Sequence, residues 1–322
     1  MTENFAEIKN LNVTYQTKKN VFGELQNIYA VNNLSLEIKK GEILAIAGES
    51  GCGKSTLAKA IMKLIDAKSG EILINGENVL TLKSRTDLKN FYQKVQIIFQ
   101  NPYSSLNPKM KIGKILAEPL EINTKLSKEE INKIVEEKIL KVGLDKSCLN
   151  NYPHEFSGGQ RQRIAIARSL ILNPEFIIAD EPVSALDVSI QAQIINLLKE
   201  LKEDFNLTFL FISHDLSVIK YLADRIAVMY LGEIVEIGEK EEIFNTPKHP
   251  YTKALLSSVP ELISTNKEKI KLKGELPSPE NLPKGCKFHT RCPYVKEKCK
   301  TECPDNINFS KTHRCKCFLY YN

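Results

Sequence analysis

"GESGCGKST", residues 48–56, satisfies the pattern G-x-x-x-x-G-K-[ST] and stands where such a loop has a mechanism, between a candidate strand and a candidate helix. Before it runs "EILAIAG" (42–48), short, apolar and continuous, as a strand covered on both faces should be. After it comes "STLAKAIMKLI" (55–65), in which Leu57, Ile61, Leu64 and Ile65 recur at helical spacing on one face. Glycines at 48, 51 and 53 allow backbone N–H groups to curl around phosphate oxygens, and the helix opening near Lys54 points its positive dipole end at them. The expected cradle is therefore Gly48, Glu49, Ser50, Gly51, Cys52, Gly53, Lys54, Ser55 and Thr56, with Lys54 reaching the β- and γ-phosphates and Ser55 holding Mg²⁺.

Outward from the loop the chain alternates apolar runs with helical patterns, as an α/β domain does. "EFIIAD" (175–180) and "LTFLFIS" (207–213) read as further buried strands of a mostly parallel core sheet. "LSLEIKKGE" (34–42) and "RIAVMYLGEIVEIGE" (225–239) alternate and read as antiparallel strands, the latter turning at Gly232. The long polar middle, about 102–155, carries helical periodicity in "KEEINKIVEEKILKVGL" (128–144) and reads as a helical insert.

Chemistry collects at the ends of the apolar runs. Asp180 closes the second strand at the edge where open α/β sheets bind ligands, suited to orienting the metal. Glu181 follows and is placed to polarise a water for in-line attack on a γ-phosphate. The third strand ends in "SHD", so His214 reaches the same edge. In "YPHEFSGGQRQRIAIARSL" (152–170), Ser157, Gly158 and Gly159 before a helix make a second anion-binding helix start. Two such starts exceed what one nucleotide needs, so the second is expected to serve the nucleotide of a partner chain.

Composition bounds the alternatives. With 322 residues, 42% hydrophobic and 26% charged, the chain is an ordinary globular sequence that can bury a core without disulfides. "MTENFAEIKN" has no secretory signal pattern and no apolar run reaches membrane-spanning length, so a cytoplasmic location is expected. A net charge of +6 is too mild to imply nucleic acid by itself. Six of the eight cysteines fall between Cys286 and Cys317, among eight basic residues and three acidic ones. In a reducing compartment that clustering points to a metal or local function before a disulfide framework. A nucleic-acid-binding tail is permitted by the charge, but regular zinc-finger spacing is missing.

"GESGCGKST", "FQNP", "FSGGQ", "IIADEPVSALD" and "SHD" stand in the order found in ABC-type ATPase subunits, and the first 240 or so residues resemble that family. The resemblance implies a P-loop NTPase fold with an antiparallel β subdomain and a helical subdomain at about 102–170, within a nucleotide-binding domain at 1–245. It implies ATP and Mg²⁺ as ligands, Glu181, His214 and Gln100 as catalytic groups, and Ser55, Gln100 and Asp180 around the metal. Tyr15 in "LNVTYQ" resembles the residue that stacks on adenine, and Ser157, Gly158, Gly159 and Gln160 the signature that closes on the opposite subunit's ATP. "SALD", Ser184 to Asp187, resembles the loop joining the two sites, while Phe156 stands where leucine is usual.

"NTPKHPYTKALLSSVP" (245–260) and the cysteine-bearing tail are similar to the C-terminal extension of oligopeptide and dipeptide permease ATPases, here 246–322, expected as a small Cys-rich domain. "IFQNPYSSLNPKM" (98–110) resembles the F-type subunit. The implied partners are a homologous D-type ATPase, two transmembrane permease subunits and an extracellular solute-binding protein, with the chain peripheral on the cytoplasmic face and no nucleic acid bound. Another solute such as a nickel chelate, a soluble ABC ATPase, and a nucleic-acid-binding module are the alternatives. The same resemblance implies that Cys286, Cys292, Cys299 and Cys317 ligate a four-iron, four-sulfur cluster. Their spacing is neither a ferredoxin run nor a zinc ribbon. Zinc is the alternative occupant, Cys315 the rival fourth ligand, and Cys303 is left over.

Overall fold

The computed structural model describes residues 4–18, 25–258 and 274–321. The last two residues of "NTPKHPYTKALLSSVP" lie outside them. The chain divides into two compact units, Met1–Leu80 with Ser213–Asn322, and Thr81–Ile212.

The first unit opens with β1 (Asn4–Lys18), β2 (Leu25–Lys39), β3 (Ile43–Ala47), α1 (Lys54–Ile61), β4 (Ser69–Ile74) and β5 (Glu77–Asn78). Strands pair antiparallel in the order β2–β1–β4–β5. The alternation in "LSLEIK" sets which face is inside: Leu34, Leu36 and Ile38 are buried and Ser35 and Glu37 exposed. All five residues of β3 are buried, as a continuous apolar run requires. Helix α1 stops earlier than its periodicity suggests. Lys63 adopts φ 52, the Leu64 N–H donates to the Lys59 carbonyl (2.9 Å) and the Lys63 N–H to that of Ala60 (3.0 Å). This Schellman-type stop turns Leu64 outward, 49% exposed, so Leu64 does not share the buried face of Leu57 and Ile61.

The second unit runs α2 (Arg85–Lys94), β6 (Val95–Ile98), α3 (Pro102–Ser105), α4 (Ile112–Asn123), α5 (Lys128–Lys141), α6 (Gly158–Leu170), β7 (Phe176–Asp180), α7 (Val188–Phe205) and β8 (Thr208–Ile212). Strand β7 lies between β6 and β8, parallel to both, with every residue of β7 and β8 buried. Helix α5 begins with a reciprocal capping box, the Glu130 N–H donating to the Ser127 hydroxyl and the Ser127 N–H to the Glu130 carboxylate.

The remaining segment of the first unit carries α8 (Leu216–Leu222), β9 (Arg225–Tyr230), β10 (Glu233–Glu239), α9 (Lys240–Asn245), α10 (Pro250–Ser257), α11 (Glu297–Thr301), β11 (Asn306–Asn308) and β12 (Arg314–Lys316). Strand β9 is parallel to β3 and antiparallel to β10. Their hairpin turns through Leu231 (φ 44) and Gly232 (φ 84), the two left-handed residues that match the twist of paired strands.

The tail does not form a small domain of its own. Strand β12 adds to β10 on one side and β11 on the other. Tyr251 and Phe288 enter the same buried cluster as Tyr230, with ring centroids 4.6 and 5.3 Å from it. Glu236, 1% exposed, accepts the N–H groups of Lys248 (2.6 Å) and His249 (2.9 Å), and His313 Nε2 lies 2.7 Å from its carboxylate. A carboxylate buried this deeply requires such partners, and they come from both ends of the tail.

Candidate nucleotide site

In the first unit the loop between β3 and α1 is compact. Gly53, at φ 108, is the N-cap of α1, and a Cβ there would lie 2.1 Å from the Ala30 carbonyl oxygen; one on Gly48 would lie 2.3 Å from that of Met229. Backbone against backbone leaves no flexible group to yield, so both positions demand glycine. Lys54, 4% exposed, donates from Nζ to the carbonyls of Gly48 (2.7 Å) and Glu49 (3.0 Å). Burial pushes the Cys52 thiol above its usual range. Ser50 and Gly51 are exposed, and Ser55 and Thr56 are half-buried in the first turn of α1. The Tyr15 hydroxyl on β1 lies 3.4 Å from that of Thr56, which puts the predicted adenine-stacking residue beside the loop. His214 is exposed, one residue after Ser213, whose N–H donates to the Ile46 carbonyl on β3 (3.3 Å). Asp215 then caps α8 through the N–H groups of Ser217 and Val218.

In the second unit Asp180 is the buried last residue of β7. Glu181 adopts φ 47, a conformation that costs a non-glycine residue on the order of 1 kcal/mol and is held here by its N–H donating to the Ile212 carbonyl at 2.9 Å. Gln100 Nε2 donates to Glu181 Oε2 at 2.9 Å and lies 3.5 Å from Ser184 Oγ. Gln100, Glu181 and Ser184 are thus brought together. Ser157 caps α6 through a reciprocal box, its N–H donating to Gln160 Oε1 (3.0 Å) and the Gln160 N–H to Ser157 Oγ (3.4 Å), with Gly158 and Gly159 forming the first turn. Asp187 is exposed at the start of α7. The loop before it is secured by Gln191, whose Nε2 donates to the carbonyls of Val183 (3.1 Å) and Leu186 (2.9 Å). Sequence reasoning passed over Gln191. Its only signal is a position one helical turn after Asp187.

Two further residues also escaped it. The Tyr251 hydroxyl accepts the Glu49 N–H at 2.8 Å, and the Arg291 guanidinium meets the Glu49 carboxylate through both outer nitrogens, at 2.8 and 3.2 Å. Local spacing carries no trace of contacts spanning 202 and 242 residues.

The cysteines are less ordered toward a metal than expected. Among the described residues no group of three or more His, Cys, Asp or Glu side chains is placed to hold a metal ion. Cys286 is pushed up to about 12 by burial, with the neighbouring Cys299, Cys317 and Cys292 sulfurs adding to the shift, and the thiols of Cys292 and Cys317 are raised for the same leading reason. The preassembled ligand set expected from Cys286, Cys292, Cys299 and Cys317 is not found among the described residues. The Lys296 N–H donates to Cys299 Sγ at 3.4 Å. Cys315 is fully buried in β12 beside Glu236, while Cys303 is exposed with its sulfur 3.1 Å from the Gly285 carbonyl.

Residues 31–184 match the ABC transporter family, and residues 235–299 match the family described as the oligopeptide/dipeptide transporter, C-terminal region. The oligopeptide transport ATP-binding protein AppF of Bacillus subtilis is 49% identical over 99% of this chain and 98% of its own. The chain belongs to the ABC transporter family. It is an ABC-type ATPase subunit with that family's mixed α/β fold. The dipeptide transport ATP-binding protein DppF of Haemophilus influenzae is 51% identical over 90% of this chain and 89% of its own. Among solved structures, the dimeric post-hydrolysis state of the ATP-binding cassette MJ0796 bound to ADP and Pi superimposes with a TM-score of 0.65 at 32% identity, covering 73% of this ABC chain and 98% of MJ0796. No helix among the described residues is long and apolar enough to cross a membrane.

Proposed function

We propose that this chain is the ATP-hydrolysing subunit of an importer of oligopeptides or dipeptides. The observation that carries the reading is near-full-length similarity, 49% over 99% of the chain, to a protein named for oligopeptide transport. The tail match at residues 235–299 supports it independently, being to a region described for that class of transporter.

The site residues take the following roles. Backbone N–H groups from Gly48 to Thr56 cradle the phosphates, Lys54 neutralises the β- and γ-phosphates, and Tyr15 stacks on the base. Ser55, Gln100 and Asp180 hold Mg²⁺, which supplies charge neutralisation on the phosphates. Glu181 accepts a proton from the water whose oxygen attacks the γ-phosphorus as the bond to the ADP oxygen breaks, and His214 stabilises the γ-phosphate. The hydrogen bond from Gln100 to Glu181 supports this pairing, because an amide anchored there reports on the carboxylate that moves the proton. Ser157 to Gln160 and Asp187 close on the nucleotide of a partner subunit. Residues 1–245 carry this chemistry and 246–322 the class-specific extension.

The implied partners are a D-type sister ATPase, two permease subunits and a solute-binding protein, with this chain on the cytoplasmic face of the membrane. A cleft of about 280 Å³ in the second unit supports permease docking: it is lined by Phe99, next to Gln100, and by Ile122, Glu118 and Arg168, so it offers both apolar and charged side chains. In the tail, donor chemistry alone supports a four-iron, four-sulfur cluster on Cys286, Cys292, Cys299 and Cys317, with zinc as the alternative. Four thiols, a backbone N–H to one sulfur and Lys and Arg residues close to them in sequence suit such a cluster. Anaerobically purified protein is expected to be brown and to contain iron and sulfide; colourless protein with stoichiometric zinc refutes the cluster.

The transport reading is tested in vesicles containing the assembled complex. ATP-dependent uptake of a labelled dipeptide or pentapeptide is expected. Uptake of a nickel chelate with no uptake of peptide would contradict it.

A further inference from the structure

Glu49 is an oddity in a loop built to receive polyphosphate. Its carboxylate adds a negative charge one residue after Gly48, beside backbone N–H groups that the loop reserves for anions. The structure shows how that charge is managed. Arg291, with a side chain 8% exposed, forms a two-pronged ion pair with it, Nη1 to Oε2 at 2.8 Å and Nη2 to Oε1 at 3.2 Å. The backbone of Glu49 is held as well, its N–H donating to the Tyr251 hydroxyl at 2.8 Å and its carbonyl accepting from Lys54 Nζ at 3.0 Å.

These grips rest on a rigid footing. Tyr251 is fully buried and Phe288 1% exposed, and both rings pack on Tyr230, while the Arg291 N–H donates to the Phe288 carbonyl at 3.0 Å. The Tyr230 hydroxyl is electrostatically coupled to the guanidinium, yet neither it nor Arg291 Nε forms a hydrogen bond of ordinary geometry. Glu49 is thus the principal charge partner of a nearly buried cation.

We infer that Arg291 is a positioning residue for ATP binding: it neutralises Glu49 and draws its carboxylate away from the phosphate cradle, so that the C-terminal extension sets the electrostatics of the loop. The inference rests on the loop being the ATP site. It assigns to the extension a function in nucleotide affinity, separate from any metal the cysteines hold. A purely architectural bond would hold the tail in place and leave ATP affinity unmoved. A neutralising one has a sign that mutation can read.

The test is ATP titration of the purified full-length chain by calorimetry, with melting curves for each variant. Arg291→Gln is expected to raise the ATP Kd about fivefold, the effect of one uncompensated charge when its separation from a phosphate is taken as about 8 Å and the effective dielectric as about 40. Combining it with Glu49→Gln should bring Kd back to within about twofold of the wild type, because the repelling charge has gone with its partner. A folded Arg291→Gln protein with unchanged Kd, or a double variant as weak as the single, overturns the inference. Should Arg291→Gln fail to fold, Glu49→Gln alone carries the test, with about fivefold tighter binding expected from the freed guanidinium. An unchanged or weaker Kd for that variant overturns it too. A wild-type chain that binds no ATP sinks the reading of the loop itself, and this inference with it.

Discussion

Glu181→Gln separates binding from turnover, and the local geometry says by how much. The substitution keeps side-chain length, and the left-handed backbone at φ 47 burdens Glu and Gln alike, so the backbone term cancels. What changes is the bond from Gln100 Nε2 at 2.9 Å, charge-assisted with Glu and neutral with Gln, a difference of about 1 kcal/mol in a partly exposed setting. The melting temperature should therefore fall by no more than about 3 °C. Since Glu181 contributes no cradle N–H, the ATP Kd should stay within about threefold. Turnover behaves differently, because an amide cannot accept the proton of the attacking water, and loss of a general base lowers kcat by about 10²–10⁴-fold. Phosphate release by the assembled complex reads the second quantity and nucleotide titration the first. Turnover within about tenfold of the wild type, or a collapse of ATP binding, would show that Glu181 is not the catalytic carboxylate.

Lys54→Ala should weaken binding itself: its Nζ bonds two loop carbonyls at 2.7 and 3.0 Å and is proposed to pair with the phosphates, and loss of one charge-assisted contact raises the ATP Kd by at least about tenfold. Equal affinity in wild type and variant would remove Lys54 from the site. Acid sensitivity should report on His249, whose pKa burial lowers to about 4. Above pH 6.5 the imidazole is neutral folded or unfolded; as pH falls below that, only the unfolded chain takes up the proton, and stability declines until about pH 4. Between pH 6.5 and 5 this amounts to about 2 kcal/mol. Melting curves of His249→Asn, which retains an acceptor for the Tyr251 N–H, should lack that decline, and an identical pH profile would place the titration elsewhere.

What the sequence discloses here is local, and what it hides is tertiary. The strands β3, β7 and β8 are legible because each is a short unbroken apolar run ending in small or polar residues, and the tight turn from β3 into α1 because its glycine spacing announces it. Leu64 misleads because a single left-handed residue, Lys63, ends the helix, and lysine carries no propensity that announces it. The left-handed backbone of Glu181 is hidden for the same reason. The tail reads as a poorly periodic Cys-rich appendix because its anchors are side chains that bury only against distant partners: Tyr251 and Phe288 on Tyr230, and His313 on Glu236. No window of local sequence contains both members of those pairs, nor both Arg291 and Glu49.

The reading of this chain as one half of a two-subunit ATPase has a direct test. ATP turnover is measured for the isolated chain over a range of concentrations, then after addition of its sister ATPase and the permeases. Because the signature at Ser157 to Gln160 is expected to complete the site of another subunit, the isolated chain should hydrolyse ATP poorly and the rate should rise steeply on assembly. High turnover by a monomer, independent of concentration and of partners, would contradict it.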